Sequence, residues 1–298
     1  MSMASLNITR LFSVKGYVAV VTGGSSGLGL MISKGLVTNG AKVYVVALPS
    51  DPVDQAVQDL NELGKLSGGS AKGVPCDLSL KGETTKLASY IEKREHRLDL
   101  LVSNAGIRRD PLDPCNVLTA NVSELQASMW SSSPSDWKET FAVNVTAHYY
   151  LAVAFLPLLM AAKREGDNGP SSREGRGAMI VTSSCASMHN VTNVDLTSYA
   201  ASKAATDHLV KLLAAKFSRF YIRVVGLNSG FFPSRMNPVG EEGNVFSALF
   251  DKVPAKRAGE EEDIAAAVIY LASKAGSYVN GVNLCVDGGR VLVANGQE

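Results

Sequence analysis

The sequence has few cysteines and few aromatic side chains. Its 298 residues include four cysteines, and aromatic residues make up 7% of the chain. The cysteines stand far apart without a C-x-x-C pair, at Cys76, Cys115, Cys185 and Cys285. This spacing is that of neither a zinc site nor a disulfide framework. We therefore expect no metal site, and reduced thiols in an intracellular, cytoplasmic protein.

The sequence also lacks an excess of charge of either sign. Lysine and arginine number 29 against 28 acidic residues, and no basic block stands out, so a nucleic-acid partner is not expected. No apolar run approaches the roughly 20 residues that a membrane span needs. The first 15 residues lack the apolar core of a signal peptide. We expect no association with a membrane.

A regular alternation of short apolar runs and helical segments fills the chain instead. Seven runs predict strands, at 17–21, 42–46, 74–78, 98–102, 178–184, 221–227 and 282–289. Their continuous apolar character is typical of parallel strands that are buried on both faces. The alternation predicts an α/β fold, a single domain over residues 1–298 with one doubly wound parallel sheet and helices on both faces, as in a Rossmann fold.

Four segments interrupt this pattern. Residues 64–73 form a predicted Gly/Ser turn, and residues 107–134 and 163–177 are predicted to be loops. The segment 231–256 is rich in large apolar residues: Phe231, Phe232, Met236, Phe246, Leu249 and Phe250. It suits an insertion that covers an apolar substrate, and a loop that packs on the core is the alternative.

A glycine-rich stretch lies between the first predicted strand and a helix. It reads Thr22-Gly23-Gly24-Ser25-Ser26-Gly27-Leu28-Gly29. Between a strand and a helix, small residues let the backbone approach a pyrophosphate, and the helix N-terminus presents free N–H groups to it. The stretch predicts a dinucleotide-binding loop, although a plain tight turn has the same composition.

The end of the second predicted strand bears on the choice of cofactor. In dinucleotide-binding folds an acidic side chain there binds the ribose of NAD, and a basic one accommodates the 2′-phosphate of NADP. Here Ala47-Leu48-Pro49-Ser50-Asp51 places neither marker at the expected position. The missing acid at Ala47 removes a repulsion against the phosphate, which Ser25, Ser26 or Ser50 could bind. The sequence favours NADP(H) over NAD(H).

Tyr199 and Lys203 open a predicted helix four residues apart, so they share one face. A nearby ammonium favours the phenolate and lowers the phenol pKa from about 10. Such a phenol can protonate a carbonyl oxygen, or deprotonate an alcohol, near pH 7. A helix pair on a surface or dimer face is the alternative. Asn144 lies in a mostly apolar predicted helix, where its own backbone could satisfy it, and Ser184 ends the fifth strand.

These motifs occur in the order found in the classical short-chain dehydrogenase/reductases. The chain resembles that family over about residues 10–292. The sequence of its glycine-rich loop and of the following helix is most similar to β-ketoacyl reductase-type members of fungi and bacteria. The motifs that carry the resemblance are Thr22–Gly29, Asn104-Ala105-Gly106, Asn144, Ser184, Tyr199-x-x-x-Lys203 and Asp287-Gly288-Gly289.

The resemblance implies a reductase of ketones, or a dehydrogenase of secondary alcohols, for which the sequence favours NADP(H). The apolar segment 231–256 and the apolar sheet core suggest an acyl- or polyketide-like ketone as its substrate. The resemblance also implies a homodimer or homotetramer that pairs through helices at about 138–162 and 198–218. Two alternatives stay open: a non-redox enzyme on the same frame, such as an epimerase, dehydratase or cyclase, and a nucleotide-sensing regulator.

The resemblance also assigns roles to single residues. Tyr199 is the general acid/base, Lys203 lowers its pKa and binds the nicotinamide ribose, Ser184 holds the substrate oxygen, and Asn144 fixes a water in a proton relay. The glycines line the pyrophosphate, Asp77 the adenine, Asn104 the adenosine, and Ser229-Gly230 the carboxamide. The full implied cofactor set is Gly23, Ser25, Ser26, Gly27, Leu28, Gly29, Asp77, Leu78, Asn104, Ala105, Gly106, Tyr199, Lys203, Ser229, Gly230 and Phe232.

The chain departs from the family pattern at three points. The gap of 15 residues between Ser184 and Tyr199 is longer than usual, so Ser183 is an alternative to Ser184. The glycine that usually follows this serine is absent from residues 185–189. A Pro-Gly pair is usual after the sixth strand in this family, and the chain has Ser229-Gly230 there.

Overall fold

A parallel sheet with helices on both faces organises the chain. The computed structural model describes residues 6–162, 177–189, 193–238 and 253–294. The strands are β1 (Val18–Thr22), β2 (Lys42–Ala47), β3 (Ser70–Pro75), β4 (Leu100–Ser103), β5 (Ala178–Ser184), β6 (Arg223–Ser229) and β7 (Asn283–Val286). The helices are α1 (Ile8–Leu11), α2 (Gly27–Thr38), α3 (Val53–Gly64), α4 (Lys81–Glu92), α5 (Val122–Trp130), α6 (Pro134–Phe141), α7 (Ala147–Ala161), α8 (Thr197–Phe217), α9 (Glu261–Ala272) and α10 (Arg290–Ala294). A π-helical segment, Ala142–Thr146, joins α6 to α7.

The strand order creates a binding crevice. The sheet runs β3-β2-β1-β4-β5-β6-β7, and its strand pairs are parallel. The chain leaves β1 toward β2 and β3 and returns to pair β4 on the other side of β1. Ligands in such folds bind at this reversal, outside the carboxyl ends of the strands. The predicted doubly wound sheet is confirmed.

The strands are apolar throughout because each face of the sheet supports its own core. Val20 of β1 packs with Phe155 of α7 and neighbours from α4 and α8. Val21, the next residue, faces the opposite cluster, which includes Ile32 of α2 and Ile264 of α9. Successive side chains of a strand point to opposite faces. Every position of β1 is therefore buried.

The predicted turn at 64–73 is wrong over its second half, because Ser70 already begins β3. This strand pairs with β2 through the backbone, with Gly73 opposite Val45. It lies at the edge of the sheet, and only Val74 among its residues is buried. An edge strand with few apolar residues has no strong sequence pattern. The strand predicted from the apolar run at 74–78 therefore begins four residues after the first residue of β3.

The predicted loop at 107–134 contains a helix, α5. Asn121 accepts a hydrogen bond from the Glu124 backbone, and the Glu124 side chain accepts one from the Asn121 backbone. This reciprocal capping satisfies two N–H groups at the start of the helix. The helix buries little of its surface, with Ser128 its buried residue. Its weak apolar periodicity explains why the sequence pattern missed it.

The helical run from Pro134 to Ala161 is long and apolar enough to cross a membrane, by length and composition alone. The expectation that no apolar run approaches such a length is therefore wrong. The run is apolar because α7 covers the sheet, and its buried side chains, such as Leu151 and Phe155, lie in the core. This is the arrangement of a core helix, and the absence of membrane association stays a prediction.

Several expectations concern residues outside the described ranges. The predicted loop at 163–177 lies there except for Gly177, as do Phe246, Leu249 and Phe250 of the predicted insertion. The four cysteines are all described, and each is a free thiol. Among the described residues, no group of three or more His, Cys, Asp or Glu side chains could hold a metal ion.

Candidate active site

The glycine-rich loop joins β1 to α2 with no spare room for side chains. A Cβ atom on Gly29 would lie 2.0 Å from the carbonyl oxygen of Gly23, far inside van der Waals contact. Gly27 begins α2 with a φ of +50°, in the left-handed region that glycine adopts most easily. The loop is therefore tight enough for the first turn of α2 to reach a ligand above the sheet.

Two observations test whether this loop fits a dinucleotide. The first N–H groups of α2, from Gly27 to Gly29, have no acceptor within the helix and point out of its N-terminus. Ser25 is buried, and its hydroxyl oxygen has no hydrogen-bond partner among the described residues. Donors of this kind suit the oxygens of a pyrophosphate. The residues present fit the nucleotide that the sequence implies.

Asn104 ties the glycine-rich loop to the end of β4. Its backbone N–H donates to Thr22 Oγ1 at 2.9 Å, and its side-chain amide donates to the Thr22 carbonyl at 2.9 Å. A Cβ on Gly29 would approach Asn104 Nδ2 to 2.7 Å. The predicted residues Asn104, Ala105 and Gly106 thus line the crevice between β1 and β4, opposite the loop.

Ser184 and Tyr199 meet across the carboxyl end of β5. Ser184 is the last residue of β5, and Tyr199 lies in the first turn of α8. Their side chains form a hydrogen bond, which favours the ionised phenol. Ser183, the alternative, is buried and donates to the backbone carbonyl of Lys203 at 3.1 Å. The geometry favours Ser184 as the partner of the phenol.

Lys203 lies one turn beyond Tyr199, as the helical spacing predicted. Its Nζ atom is 5.7 Å from the centre of the Tyr199 ring and donates to the Thr182 carbonyl at 3.0 Å. Burial lowers the pKa of Lys203 to about 8, partly offset by the charge of Asp207. The ammonium is therefore close to titrating in the physiological range.

The expected lowering of the Tyr199 pKa is wrong for this structure. Burial raises the pKa of Tyr199 to about 12, and it outweighs the hydrogen bond with Ser184 and the charge of Arg108, which both lower it. The sequence spacing indicates which groups are neighbours. It does not give the cost of placing a phenolate beneath packed residues, and here that cost is the larger effect.

Asn144 supports the loop that follows β4, next to Lys203. It lies in the π-helical segment, fully buried. Its amide oxygen accepts from the Ile107 backbone at 2.8 Å, and its amide nitrogen donates to the Ile107 carbonyl and to Ser202 Oγ, both at 2.9 Å. The alternative that its own backbone satisfies the side chain is therefore wrong. Asn144 fixes residues 106 and 107 beside Lys203.

The remaining predicted positions lie at the same edge of the sheet. Asp77 and Leu78 follow β3, where an Asp77 oxygen accepts from the Ser79 backbone at 2.9 Å. Ser229 ends β6 opposite Ser184 in register. A Cβ on Gly230 would come within 2.6 Å of Asp287 Cα, so packing requires this glycine.

Phe232 has a different place from the one expected for a lid or a cofactor contact. Its side chain is buried in the core cluster on the α2 side of the sheet. A Cβ on Gly259 would meet its ring at 2.4 Å. For this residue the core-packing alternative holds, and only its backbone remains available to a ligand.

A partly buried polar network that sequence analysis missed lies behind Ser184 and Lys203. Asp207 accepts hydrogen bonds from Ser187 Oγ and, at 2.9 Å, from Asn228 Nδ2. The Ser184 carbonyl lies 2.8 Å from the same Ser187 Oγ, so the single hydroxyl proton is shared between two acceptors. Asp207 lies one turn beyond Lys203 on α8, a spacing that could have identified it. The network fixes the end of β5 against α8.

Comparisons with known proteins agree with this geometry. A family model described as enoyl-(acyl carrier protein) reductase matches residues 23–290. The short-chain dehydrogenase/reductase PhomF of Diaporthe leptostromiformis is 36% identical, over 97% of this chain and 96% of PhomF. A rhamnolipids biosynthesis 3-oxoacyl-(acyl-carrier-protein) reductase of Pseudomonas aeruginosa is 30% identical, over 93% of this chain and 97% of the relative.

A solved structure has the same fold. The Pseudomonas aeruginosa RhlG/NADP active-site complex superimposes with a TM-score of 0.77 at 30% identity, covering 95% of this chain and 99% of that one. The chain therefore belongs to the short-chain dehydrogenase/reductase family, and it is an oxidoreductase of alcohol and carbonyl groups that uses a nicotinamide cofactor.

Proposed function

We propose that the protein reduces an apolar, acyl- or polyketide-like ketone with NADPH, with Tyr199 as the proton donor. The observation that carries the proposal is the meeting of Tyr199 and Ser184 at the carboxyl edge of the sheet, with Lys203 one helical turn away. These groups lie across the crevice from a loop that fits a pyrophosphate. Such a constellation has a place for both a carbonyl and a nicotinamide.

In this proposal the cofactor lies along the crevice, from the glycine-rich loop at one end to Lys203 at the other. Gly23, Gly27 and Gly29 would hold the pyrophosphate at the N-terminus of α2, and Asn104 would border the adenosine. Lys203 would bind the nicotinamide ribose through its ammonium. The bound nicotinamide supplies a hydride, and the protein supplies position and polarity.

Each catalytic side chain has a separate task in the reduction. Ser184 donates a hydrogen bond to the substrate oxygen and stabilises the negative charge that develops on it. Tyr199 transfers its phenolic proton to that oxygen as the carbonyl becomes an alcohol. A partly buried phenol with a raised pKa retains its proton at neutral pH, which suits a donor. Lys203 stabilises the phenolate that remains.

Reprotonation of Tyr199 requires a path to solvent. The side-chain amide of Asn144 accepts a hydrogen bond from the Ile107 N–H and donates one to the Ile107 carbonyl. These two bonds hold the backbone at Ile107 next to Lys203. A Cβ on Gly106 would lie 3.4 Å from Lys203 Nζ and 3.3 Å from Asn144 Oδ1, so both groups border the same space beside Gly106. We propose that Asn144 and Lys203 fix a water between them that returns the proton.

The substrate class is proposed from the residues at the crevice mouth and from the relatives. The family model and the Pseudomonas relative are both named for substrates on an acyl carrier protein. In this chain Phe231 and Met236 lie in the segment that leaves β6 toward the crevice. An acyl ketone without charge near its carbonyl suits this mouth.

We propose a homodimer or homotetramer that pairs through α7 and α8. The outer face of α7 exposes Tyr149, Val153 and Met160, and α8 exposes Leu212. Helices that leave large apolar side chains in solvent gain free energy when a second copy covers them. A groove of about 220 Å³ between α4 and α7 lies next to this surface.

The proposal is tested by NADPH oxidation with a panel of ketones that includes β-ketoacyl thioesters, methyl ketones and keto sugars. We expect turnover with the apolar acyl ketones. Tyr199→Phe should abolish turnover and retain NADPH affinity in calorimetry, because the change removes one hydroxyl group. A Tyr199→Phe variant that keeps most of its activity would rule out the role assigned to the phenol.

A further inference from the structure

An arginine from beyond β6 reaches the end of the crevice where the adenosine ribose of a dinucleotide lies. Arg235 Nη2 donates to Ser26 Oγ at 3.2 Å and to an Asp51 oxygen at 3.2 Å. Ser26 belongs to the glycine-rich loop, and Asp51 follows β2. The guanidinium therefore joins the two elements that frame the ribose in this kind of fold.

The backbone around Arg235 is held in place. Ser234 and Asn237 exchange backbone hydrogen bonds of 3.0 Å in both directions, which closes a tight turn with Arg235 at its tip. The side chain of Asn237 donates to the Phe232 carbonyl at 3.3 Å, and the Phe232 ring is anchored in the core. Arg108 donates to the carbonyl of Met236 at 3.1 Å.

The same turn packs on the glycine-rich loop. A Cβ on Gly27 would lie 3.2 Å from Ser234 Cβ, so the side chain of Ser234 borders the glycine-rich loop. The guanidinium of Arg235 therefore stays near the loop even though its own side chain is largely exposed. The position of the guanidinium is therefore set by the turn that carries Arg235 as well as by the conformation of its side chain.

The surroundings of the guanidinium suit a phosphate dianion. The Ser25 hydroxyl is buried without a hydrogen-bond partner among the described residues, one position from Ser26. The N-terminus of α2 adds unpaired N–H groups and a positive dipole end. Ala47, at the end of β2, brings no negative charge. A guanidinium that already binds a carboxylate has the fork geometry to bind a phosphate instead.

We propose that Arg235 is the residue that recognises the 2′-phosphate of NADP(H), a task that residues directly after β2 perform in other dinucleotide folds. Asp51 is its counter-ion when no phosphate is bound. The inference rests on the proposed function, because it requires a nicotinamide dinucleotide in the crevice. It explains how the chain can prefer NADPH without a basic residue at the end of β2.

Calorimetric titration of Arg235→Gln with NADPH and with NADH tests the inference. A hydrogen bond to a charged group contributes about 1.5–3 kcal/mol, so NADPH affinity should fall by about tenfold to a hundredfold. NADH affinity should change by less than about twofold. Arg235→Lys should retain part of the affinity for NADPH, since it keeps the charge and loses the fork.

Two further variants separate a local effect from a general one. Arg97 is an ion-paired arginine that binds Asp99 just before β4, at the amino ends of the strands and away from the crevice, so Arg97→Gln should leave both affinities unchanged. Asp51→Asn removes a negative charge next to the phosphate and should raise NADPH affinity. The probes 2′,5′-ADP and 5′-AMP repeat the comparison without the nicotinamide, and the preference of the wild type for 2′,5′-ADP should disappear in Arg235→Gln.

The outcomes distinguish this inference from the proposed function. Wild-type protein that binds NADPH, together with an Arg235→Gln variant that binds it equally well, would overturn the inference and leave the reductase intact. An equal loss of NADPH and NADH affinity in the variant would also overturn it, because the phosphate would not be the group recognised. A wild type that binds neither nucleotide would overturn the proposed function and this inference with it.

Discussion

His148 makes the folded protein sensitive to acid. It lies on α7 with its side chain almost fully buried, and Nδ1 forms a 2.6 Å hydrogen bond with Ser103 Oγ at the end of β4. Nε2 is buried and has no hydrogen-bond partner among the described residues. Burial, together with the charge of Lys203, lowers the pKa of His148 to about 3.

The sign of the effect follows from proton binding. Between pH 6.5 and about 3, the unfolded chain protonates this histidine and the folded chain does not, so stability falls as the pH falls through this range. With an unfolded pKa of about 6.5, the contribution lost between pH 7 and pH 5 is about 2 kcal/mol. His189, which is also buried with a pKa lowered to about 4, adds a loss of its own.

The assay is urea unfolding at pH 7 and pH 5 with wild type and His148→Asn, at one protein concentration. Asparagine places its amide near the position of Nδ1 and does not titrate, so the variant should lose about 2 kcal/mol less than the wild type over this interval. The contribution of His189 cancels in the comparison. His208→Asn, a change on the exposed face of α8, serves as the control and should behave as the wild type.

Equal losses in wild type and His148→Asn would refute the reasoning. That result would mean that His148 binds protons alike in the folded and unfolded chain, against its burial, its hydrogen bond with Ser103 and the charge of Lys203. A variant that is less stable at both pH values by a constant amount would not be such a result. Only the difference between the two pH values reports the titration.

Three further predictions concern other parts of the structure. Gly29→Ala should lower stability in thermal melts by several kcal/mol and abolish nucleotide binding, since its Cβ would lie 2.0 Å from the Gly23 carbonyl oxygen. The control is Gly82→Ala, which has open space around its Cβ and should be neutral or stabilising in the same melts. Asp207→Asn removes an anion that raises the pKa of Lys203, so the alkaline fall in kcat/KM should move below pH 8, and an unshifted pH profile would show that Asp207 does not act on Lys203. Light scattering should give two or four times the 31.5 kDa chain mass, and a mass near 31.5 kDa would contradict pairing through α7 and α8.

The sequence predicts the central parts of the fold because local pattern and final environment agree there. The run 178–184 is both apolar and buried on two faces, and the predicted strand has the bounds of β5. The strand at Ser70–Pro75 breaks this agreement, because backbone pairing at an edge leaves little trace in side chains. The helix α5 did leave a signal, the reciprocal caps of Asn121 and Glu124, which the composition of the surrounding loop obscured.

The candidate site is less predictable than the fold because its properties depend on tertiary packing. The spacing of Tyr199 and Lys203 predicts that they are neighbours, yet the direction of the Tyr199 pKa follows from burial. Arg235 is separated from Asp51 by 184 positions and from Ser26 by 209. No pattern along the chain connects these three residues, and only the folded structure brings them together.

Deuterium transfer tests the central claim most directly. The wild type is incubated with a ketone and NADPH that carries deuterium at both C4 positions of its nicotinamide, and the product is analysed by mass spectrometry and NMR. We expect one deuterium on the carbinol carbon of the alcohol, and no alcohol from Tyr199→Phe. Conversion of a substrate without consumption of NADPH and without deuterium in the product would contradict the account and indicate a non-redox enzyme on the same frame.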